Sequence, residues 1–240
     1  PSTLGPATLF ELGDVLEAQR GRAAAGTIDA IAVTGKPYFL AAGADLSNVG
    51  LLPDRETGAE LGRLGHRVLG MLHEAGVPTF VFINGLALGG GLEIGLNADY
   101  RTINAAAPAV GLPEVFLGLV PGWGGATILP NLIGIENALK VVIENPLKQN
   151  RTLKAREAFE LGIADALFEP ASFLEDSIRW ADGVISGRIA VKRPHAPGKL
   201  EKLAKWDIAI GIARKTLESR IGTVARSPYA ALDLLAGAKS

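Results

Sequence analysis

With 240 residues, 48% of them hydrophobic and 20% charged, the chain has the composition of a soluble protein with a sizeable core: one large domain, or a domain with an appendage. A formal net charge of -1 gives no global attraction for nucleic acid or an anionic membrane, and the absence of cysteine excludes disulfides, thiolate chemistry and cysteine-bound zinc. The longest apolar stretch is interrupted by Asn84, a glycine triplet and Glu93, so no membrane span is expected.

The chain opens on Pro1 with no signal-peptide pattern behind it and is expected to begin partway into a longer one. Residues 7–20 carry Leu9, Leu12 and Leu16 at helical spacing with acids on the other face, which predicts a core-facing helix. IDAIAVTG (28–35) is a short apolar run closed by glycine, as in a buried strand, and KPYFLAAGADL (36–46) is expected to be a small-residue loop ending in an acid. Residues 58–75 repeat the helical signature with Leu61, Leu64, Val68 and Leu72; 77–83 and 100–104 are further strands. The alternation predicts a layered α/β fold. Past Gly125 the pattern turns helical, over 135–144, 153–161 and 173–185. A basic segment at 188–202, broken by Pro194 and Pro197, reads as a domain edge. A last amphipathic helix places Trp206, Ile210, Ala213 and Leu217 on one face, before an Ala/Leu-rich end at 229–238.

The chemistry concentrates in INGLALGGGLEIGL (83–96). Three successive glycines let the backbone approach a ligand closely, and a helix starting there leaves its first amides free at the positive end of its dipole. Glu93 then stands beside an anion site. A second acidic stretch, GLPEVFLGLVPGWGG (111–125), sets Glu114 among Leu112, Val115, Phe116 and Leu117, where desolvation should raise its pKa. Taken alone, Glu93 is equally a helix-start acid and Glu114 a surface acid; taken together beside glycine-rich turns, they read as an acid–base pair. Trp123 is either core filler or the wall of a pocket, Asp45 orders its loop, and Asp99 and Arg101 form a structural pair at the start of a strand.

Other chemistries fail on spacing. From Gly89 the last glycine of G-x-G-x-x-G falls on Ile94, and from Gly122 it falls on Thr127, so neither run is a dinucleotide loop. There is no Gly-Lys-Ser/Thr sequence and no G-x-S-x-G elbow. His66 and His73 share one helix without a third ligand and His195 is distant, so no metal site is expected.

The stretches AAGADL (41–46), INGLALGGGLEIGLNADYR (83–101), GLPEVFLGLVPGWGG (111–125) and LKAREAFELGIAD (153–165) resemble the crotonase, or enoyl-CoA hydratase/isomerase, family over nearly the whole chain. Within it, ADYR, PGWGG and the tail from Lys199 onward resemble the hydratase part and linker helix of the multifunctional fatty-acid oxidation α-subunit. The resemblance implies an α/β, ClpP/crotonase-like ββα spiral core over 1–190, its opening strand missing and a sheet edge left exposed, followed by a C-terminal linker and helical segment over 191–240. It implies an oxyanion hole from the backbone N–H groups of Ala42 and Gly90, with Glu93 and Glu114 as paired catalytic carboxylates. Gly43, Ala44 and Asp45 would line the coenzyme A pantetheine, and Gly122 and Trp123 would sit near the reacting carbons. Lys36 is the one candidate contact to the adenosine phosphates. The spacing between the two acids is a residue longer than usual, through AAAPAV (105–110), which puts the loop geometry in question.

The implied activity is hydration of 2-enoyl-CoA thioesters to 3-hydroxyacyl-CoA in fatty-acid β-oxidation, with no cofactor beyond the coenzyme A carried by the substrate. The alternatives are a Δ3-Δ2-enoyl-CoA isomerase and an inactive crotonase-like scaffold whose Trp206 helix packs on a partner or a missing domain. The resemblance further implies an oligomer in the cytoplasm, with a dehydrogenase domain in the same chain and a thiolase partner. No contact with nucleic acid is expected.

Overall fold

The computed structural model describes residues 3–45 and 54–239. Helix α1 (Pro6–Ala24) begins with proline in its first turn and buries Leu9 and Leu16. Strand β1 (Ile31–Thr34) follows, and then β2 (Tyr38–Ala41), where the sequence predicts a loop. Ala41 to Ala44 make that stretch look like a coil, but the apolar residues before them pair with a neighbouring strand. Leu46 lies outside the described residues. Helix α2 (Arg55–His73) is capped by Asp54, whose carboxylate accepts from the backbone N–H of Thr57 at 2.8 Å, and its face of Leu64, Val68, Leu69 and Leu72 is buried.

The next strand, β3 (Thr79–Ile83), is buried along its whole length, as expected of a central parallel strand. The chain does not stop at Asn84 but turns a corner there into β4 (Gly85–Leu88). The Asn84 side chain fixes the corner, donating to the carbonyls of Gly35 and Lys36 and accepting from the Gly35 N–H. Short helix α3 (Gly90–Leu96) is buried throughout; β5 (Tyr100–Asn104) and β6 (Val110–Gly111) come next, then a 3-10 turn at Glu114–Leu117.

Odd and even strands separate into two sheets. One has the order β1-β3-β5-β7, closed by β7 (Ala166–Phe168), and the other β2-β4-β6; every pairing is parallel. The repeated step is therefore strand, strand, helix, with each step adding one strand to each sheet. β1 is an edge of the larger sheet and leaves Ala32 and Thr34 exposed, while β2 is an edge of the smaller and leaves Tyr38 and Phe39 exposed.

The helical second half comprises α4 (Leu129–Ile133), then α5 (Ile135–Leu139) running through a π-helical turn into α6 (Asn145–Leu147), then α7 (Ala155–Glu160) and α8 (Phe173–Ile185). α8 covers the larger sheet, joining Phe173 and Ala181 to Phe80 and Phe82, with Trp180 edge-on to Phe80 and Tyr100. Helices α9 (Lys199–Ala204), α10 (Trp206–Ile221) and α11 (Ser227–Gly237) complete the chain. Trp206 is fully buried within this chain, its indole N–H donating to the Leu235 carbonyl at 3.0 Å, so it is not the free partner-docking face that the scaffold alternative needs. Among the described residues, no helix is long and apolar enough to cross a membrane.

Candidate active site

Because β2, β4 and β6 run parallel, their carboxyl ends meet at one edge, the place where open parallel sheets bind ligands. Each end delivers one part of the site. β2 leads into Ala42–Asp45, β4 into Gly89 and α3, and β6 into Leu112, Pro113 and the turn bearing Glu114. The first two parts touch: a β-carbon on Gly91 would lie 2.2 Å from the Ala41 carbonyl oxygen, and one on Gly43 2.9 Å from that of Leu88. Leu4 clasps the β2 loop from outside, donating to the Gly43 carbonyl at 2.9 Å and accepting from the Asp45 N–H at 3.3 Å.

At the start of α3 the Gly89 carbonyl accepts from the N–H groups of Leu92 and Glu93. Among the described residues, no acceptor meets the N–H of Gly90 or Gly91. One turn into the helix, Glu93 is 2% exposed, and its Oε1 accepts from the backbone N–H groups of Trp123 at 2.7 Å and Gly125 at 2.9 Å. Burial raises its pKa to about 7 against the opposing pull of those two amides.

Glu114 reaches the same place from the β6 side, its Oε1 lying over Gly89. Its Oε2 is buried and has no hydrogen-bond partner among the described residues. Burial first, and then the nearby charge of Glu93, push its pKa up to about 8. The two acids therefore meet despite the longer link between them.

Sequence reasoning misses two supports of this pair. Asn97 is buried at the C-cap of α3 and donates through Nδ2 to the carbonyls of Glu93 at 2.8 Å and Trp123 at 2.6 Å, tying helix and loop together. A polar residue four places after Glu93 on an otherwise apolar helix is the signal that would have found it. Gly125 is the other, and only the fold shows that its amide faces Glu93.

Of the remaining sequence candidates, Ala42, Ala44 and Asp45 are half-buried on the β2 loop and Gly43 is buried. Gly122 is exposed, a β-carbon there meeting only the Val120 carbonyl oxygen at 3.8 Å among the described residues, and Trp123 is 9% exposed beside Gly90. Lys36 is exposed, two residues before β2 and so at the far end of that strand from Ala42. The expected Asp99–Arg101 pair is corrected. Arg101 forms its ion pair with Asp165 at 3.3 Å, while the Asp99 carboxylate accepts from Thr79 N–H and Oγ1 at 2.9 Å. All three histidines are exposed, and among the described residues no group of three or more His, Asp or Glu side chains is placed to hold a metal ion.

The spiral of strand–strand–helix steps, with its site at the carboxyl ends of the smaller sheet, is the crotonase fold. The profile of the enoyl-CoA hydratase/isomerase family matches residues 2–195, and the chain belongs to that family. Over 200 residues, 82% of this chain, it is 39% identical to the fatty acid oxidation complex subunit alpha of Pseudomonas syringae pv. tomato, and the same holds for that of Pseudomonas putida strain GB-1. The chain spans 26% of the length of these curated relatives. Among solved structures it is similar to Pseudomonas aeruginosa DspI, with a TM-score of 0.68 and 26% identity over 96% of this chain and 82% of that one. It is similar also to an enoyl-CoA hydratase from Bacillus anthracis, with a TM-score of 0.68 and 25% identity over 92% of this chain and 83% of that one.

Proposed function

We propose that this chain hydrates 2-enoyl-CoA thioesters to 3-hydroxyacyl-CoA, as a step of fatty-acid β-oxidation. The observation that carries the reading is the meeting of the buried Glu93 with the half-buried Glu114, whose Oε2 is buried, beside a Gly90 amide that has no acceptor among the described residues. The relatives' name supports the metabolic setting. A dehydrogenase domain in the same chain and a thiolase partner belong to the same proposal.

The thioester oxygen sits on the N–H groups of Gly90 and Ala42, which take up the negative charge that develops as water adds to C3. Each such donor contributes roughly 3 kcal/mol to the transition state. Glu93 is the base. Two amides already hold its Oε1 and favour its ionised form, leaving Oε2 for water. Glu114 is the acid, because its unpartnered oxygen in an apolar wall is held better as a carboxylic acid. Water gives a proton to Glu93 as its oxygen bonds to C3. The electron pair of the double bond moves to C2 and takes the proton from Glu114, and a proton passing from Glu93 to Glu114 restores the pair. No cofactor takes part beyond the coenzyme A of the substrate.

Isomerisation of a 3-enoyl thioester needs one acid to move a proton along the chain, and Glu114 suits it. Assays of both substrates with wild type and with Glu93→Gln separate the two reactions. Hydration should fall about a hundredfold or more in the variant, with isomerisation largely kept. A folded wild type that turns over neither substrate overturns the proposal.

A further inference from the structure

Trp123 enters the proposed reaction only through its backbone amide, which leaves the largest side chain at the site without a role. The indole fills a slot between α2 and the start of α3. A β-carbon on Gly65 of α2 would lie 2.1 Å from its Cε2, and one on Gly90 would lie 2.6 Å from its Cζ3. One edge of the ring therefore rests on each glycine, where no larger residue fits. Gly65 interrupts a face of α2 that is otherwise Leu64, Val68, Leu69 and Leu72, and the indole is what occupies the space it leaves. Nor is the ring free to swing. Its Nε1 donates to the Gly62 carbonyl at 3.0 Å, and the Trp123 carbonyl accepts from Asn97 at 2.6 Å.

We propose that the Trp123 indole is a fixed wall that selects the acyl group, closing the site on its α2 side and favouring short chains over long ones. The inference rests on reading this site as one for enoyl thioesters. With the thioester oxygen at the Gly90 amide and C3 between Glu93 and Glu114, the first carbons beyond C3 lie beside a residue that contacts both. The ring touches Gly90 and the backbone N–H of the same residue holds Glu93. Trimming the ring opens the slot between Gly65 and Gly90 to the acyl chain without removing that N–H.

The test compares wild type with Trp123→Phe, Trp123→Leu and Trp123→Ala, using a four-carbon and a sixteen-carbon 2-enoyl-CoA for turnover. Binding of butyryl-CoA and palmitoyl-CoA, followed by calorimetry, gives a second readout that needs no chemistry. Wild type should favour the four-carbon substrate. The long-to-short ratio of kcat/KM, and the matching ratio of affinities, should rise about tenfold or more in the smallest variant that folds. Core filler would behave differently: truncation would lower stability and scale both substrates alike, and unchanged ratios in every folded variant overturn the wall. If wild type turns over neither substrate while the binding ratio still shifts on truncation, the wall stands and the hydratase reading falls. Loss of both binding and turnover in folded wild type overturns both.

Discussion

Glu114 Oε1 lies 2.4 Å from where a β-carbon on Gly89 would be, so the acid rests directly against the turn that opens α3. Gly89 also holds φ at +53°, a conformation that side chains other than glycine rarely adopt. The first glycine of the triplet is thus set by packing against the Glu114 carboxyl as well as by the turn. In Gly89→Ala the added methyl must displace either Glu114 or the turn carrying the Gly90 amide. Hydration should fall about 100-fold or more, the scale of losing one oxyanion donor, with the chain still folded by circular dichroism. Near-normal turnover in a folded Gly89→Ala would mean that Glu114 does not work from this position.

The unequal environments of the acids set a pH profile. The proposed mechanism needs Glu93 ionised and Glu114 protonated, so kcat/KM should rise as pH passes about 7 and fall as it passes about 8. Replacing Glu114 by Gln should remove the alkaline limb along with most of the activity. A profile that stays flat from mildly acidic to mildly alkaline pH would contradict the division of roles.

The same shifts act on stability. Folded Glu114 keeps its proton up to about 8, whereas its usual value is 4.5, so between those limits the folded state binds the extra proton. That contribution is complete below the lower value and disappears as pH rises through the upper one. Glu114→Gln cannot ionise, so above the upper limit it should be more stable than wild type by on the order of 1 kcal/mol, or roughly 3 °C in Tm. Thermal melts of both proteins across the range test the sign: the two curves should converge toward acid pH and separate toward alkaline pH.

How much of this was legible in the sequence follows from what sequence patterns encode. The buried run before Asn84 and the strand at 100–104 are continuous apolar segments, and they appear where expected as β3 and β5. β2, β4 and β6 escape because they are two to four residues long and lie next to glycines whose positions answer to the site. The strands that build the site are therefore those with the weakest periodicity. Glu93 and Glu114 stand out as charges in apolar company, a contrast visible in one dimension. Their convergence, and the amides of Trp123 and Gly125 that hold Glu93, depend on backbone direction, which residue identity does not carry. The Asp99–Arg101 ion pair fails for a related reason: the Asp99 carboxylate is taken by Thr79 and only its backbone carbonyl reaches Arg101, so Asp165 from 64 residues away is the charged partner.

Asn97 contacts no reacting atom in the proposed mechanism and acts by position. Its Nδ2 bridges the carbonyls of Glu93 and Trp123, the two residues joined on their other side by the Trp123 N–H. Asn97→Ala takes its donor from the Trp123 carbonyl, while the Glu93 carbonyl keeps the residue-97 backbone N–H at 3.1 Å, at a cost of about 1–3 kcal/mol in stability. It should lower kcat more than KM, because the bridge orients the base and not the coenzyme A. The acidic limb of the pH profile should also move, since Glu93 depends on the loop that Asn97 secures. A purely structural role would lower Tm and leave that limb in place.

Arg101 is the charge most dependent on one partner. Its side chain is 2% exposed, and it donates to Ile163, Gly95 and Ala98 carbonyls as well as to Asp165, whose own side chain is 1% exposed. Gly95 and Ala98 lie at the end of α3, so the guanidinium holds the C-terminal turn of the short helix that carries Glu93 at its middle. Burial lowers the Arg101 pKa to about 10, and the Asp165 charge is the main opposing influence. Asp165 also accepts from Arg193 of the proline-interrupted segment at 2.9 Å, but that side chain is 34% exposed. Asp165→Asn should therefore cost roughly 3–5 kcal/mol by leaving a buried cation uncompensated. Arg193→Ala, at the rim, should cost no more than about 1 kcal/mol. Urea unfolding of the two variants separates the cases. Equal losses would place the weight of the network on the linker contact, and a wild-type midpoint for Asp165→Asn would mean that the Ile163, Gly95 and Ala98 carbonyls alone suffice to hold the buried charge.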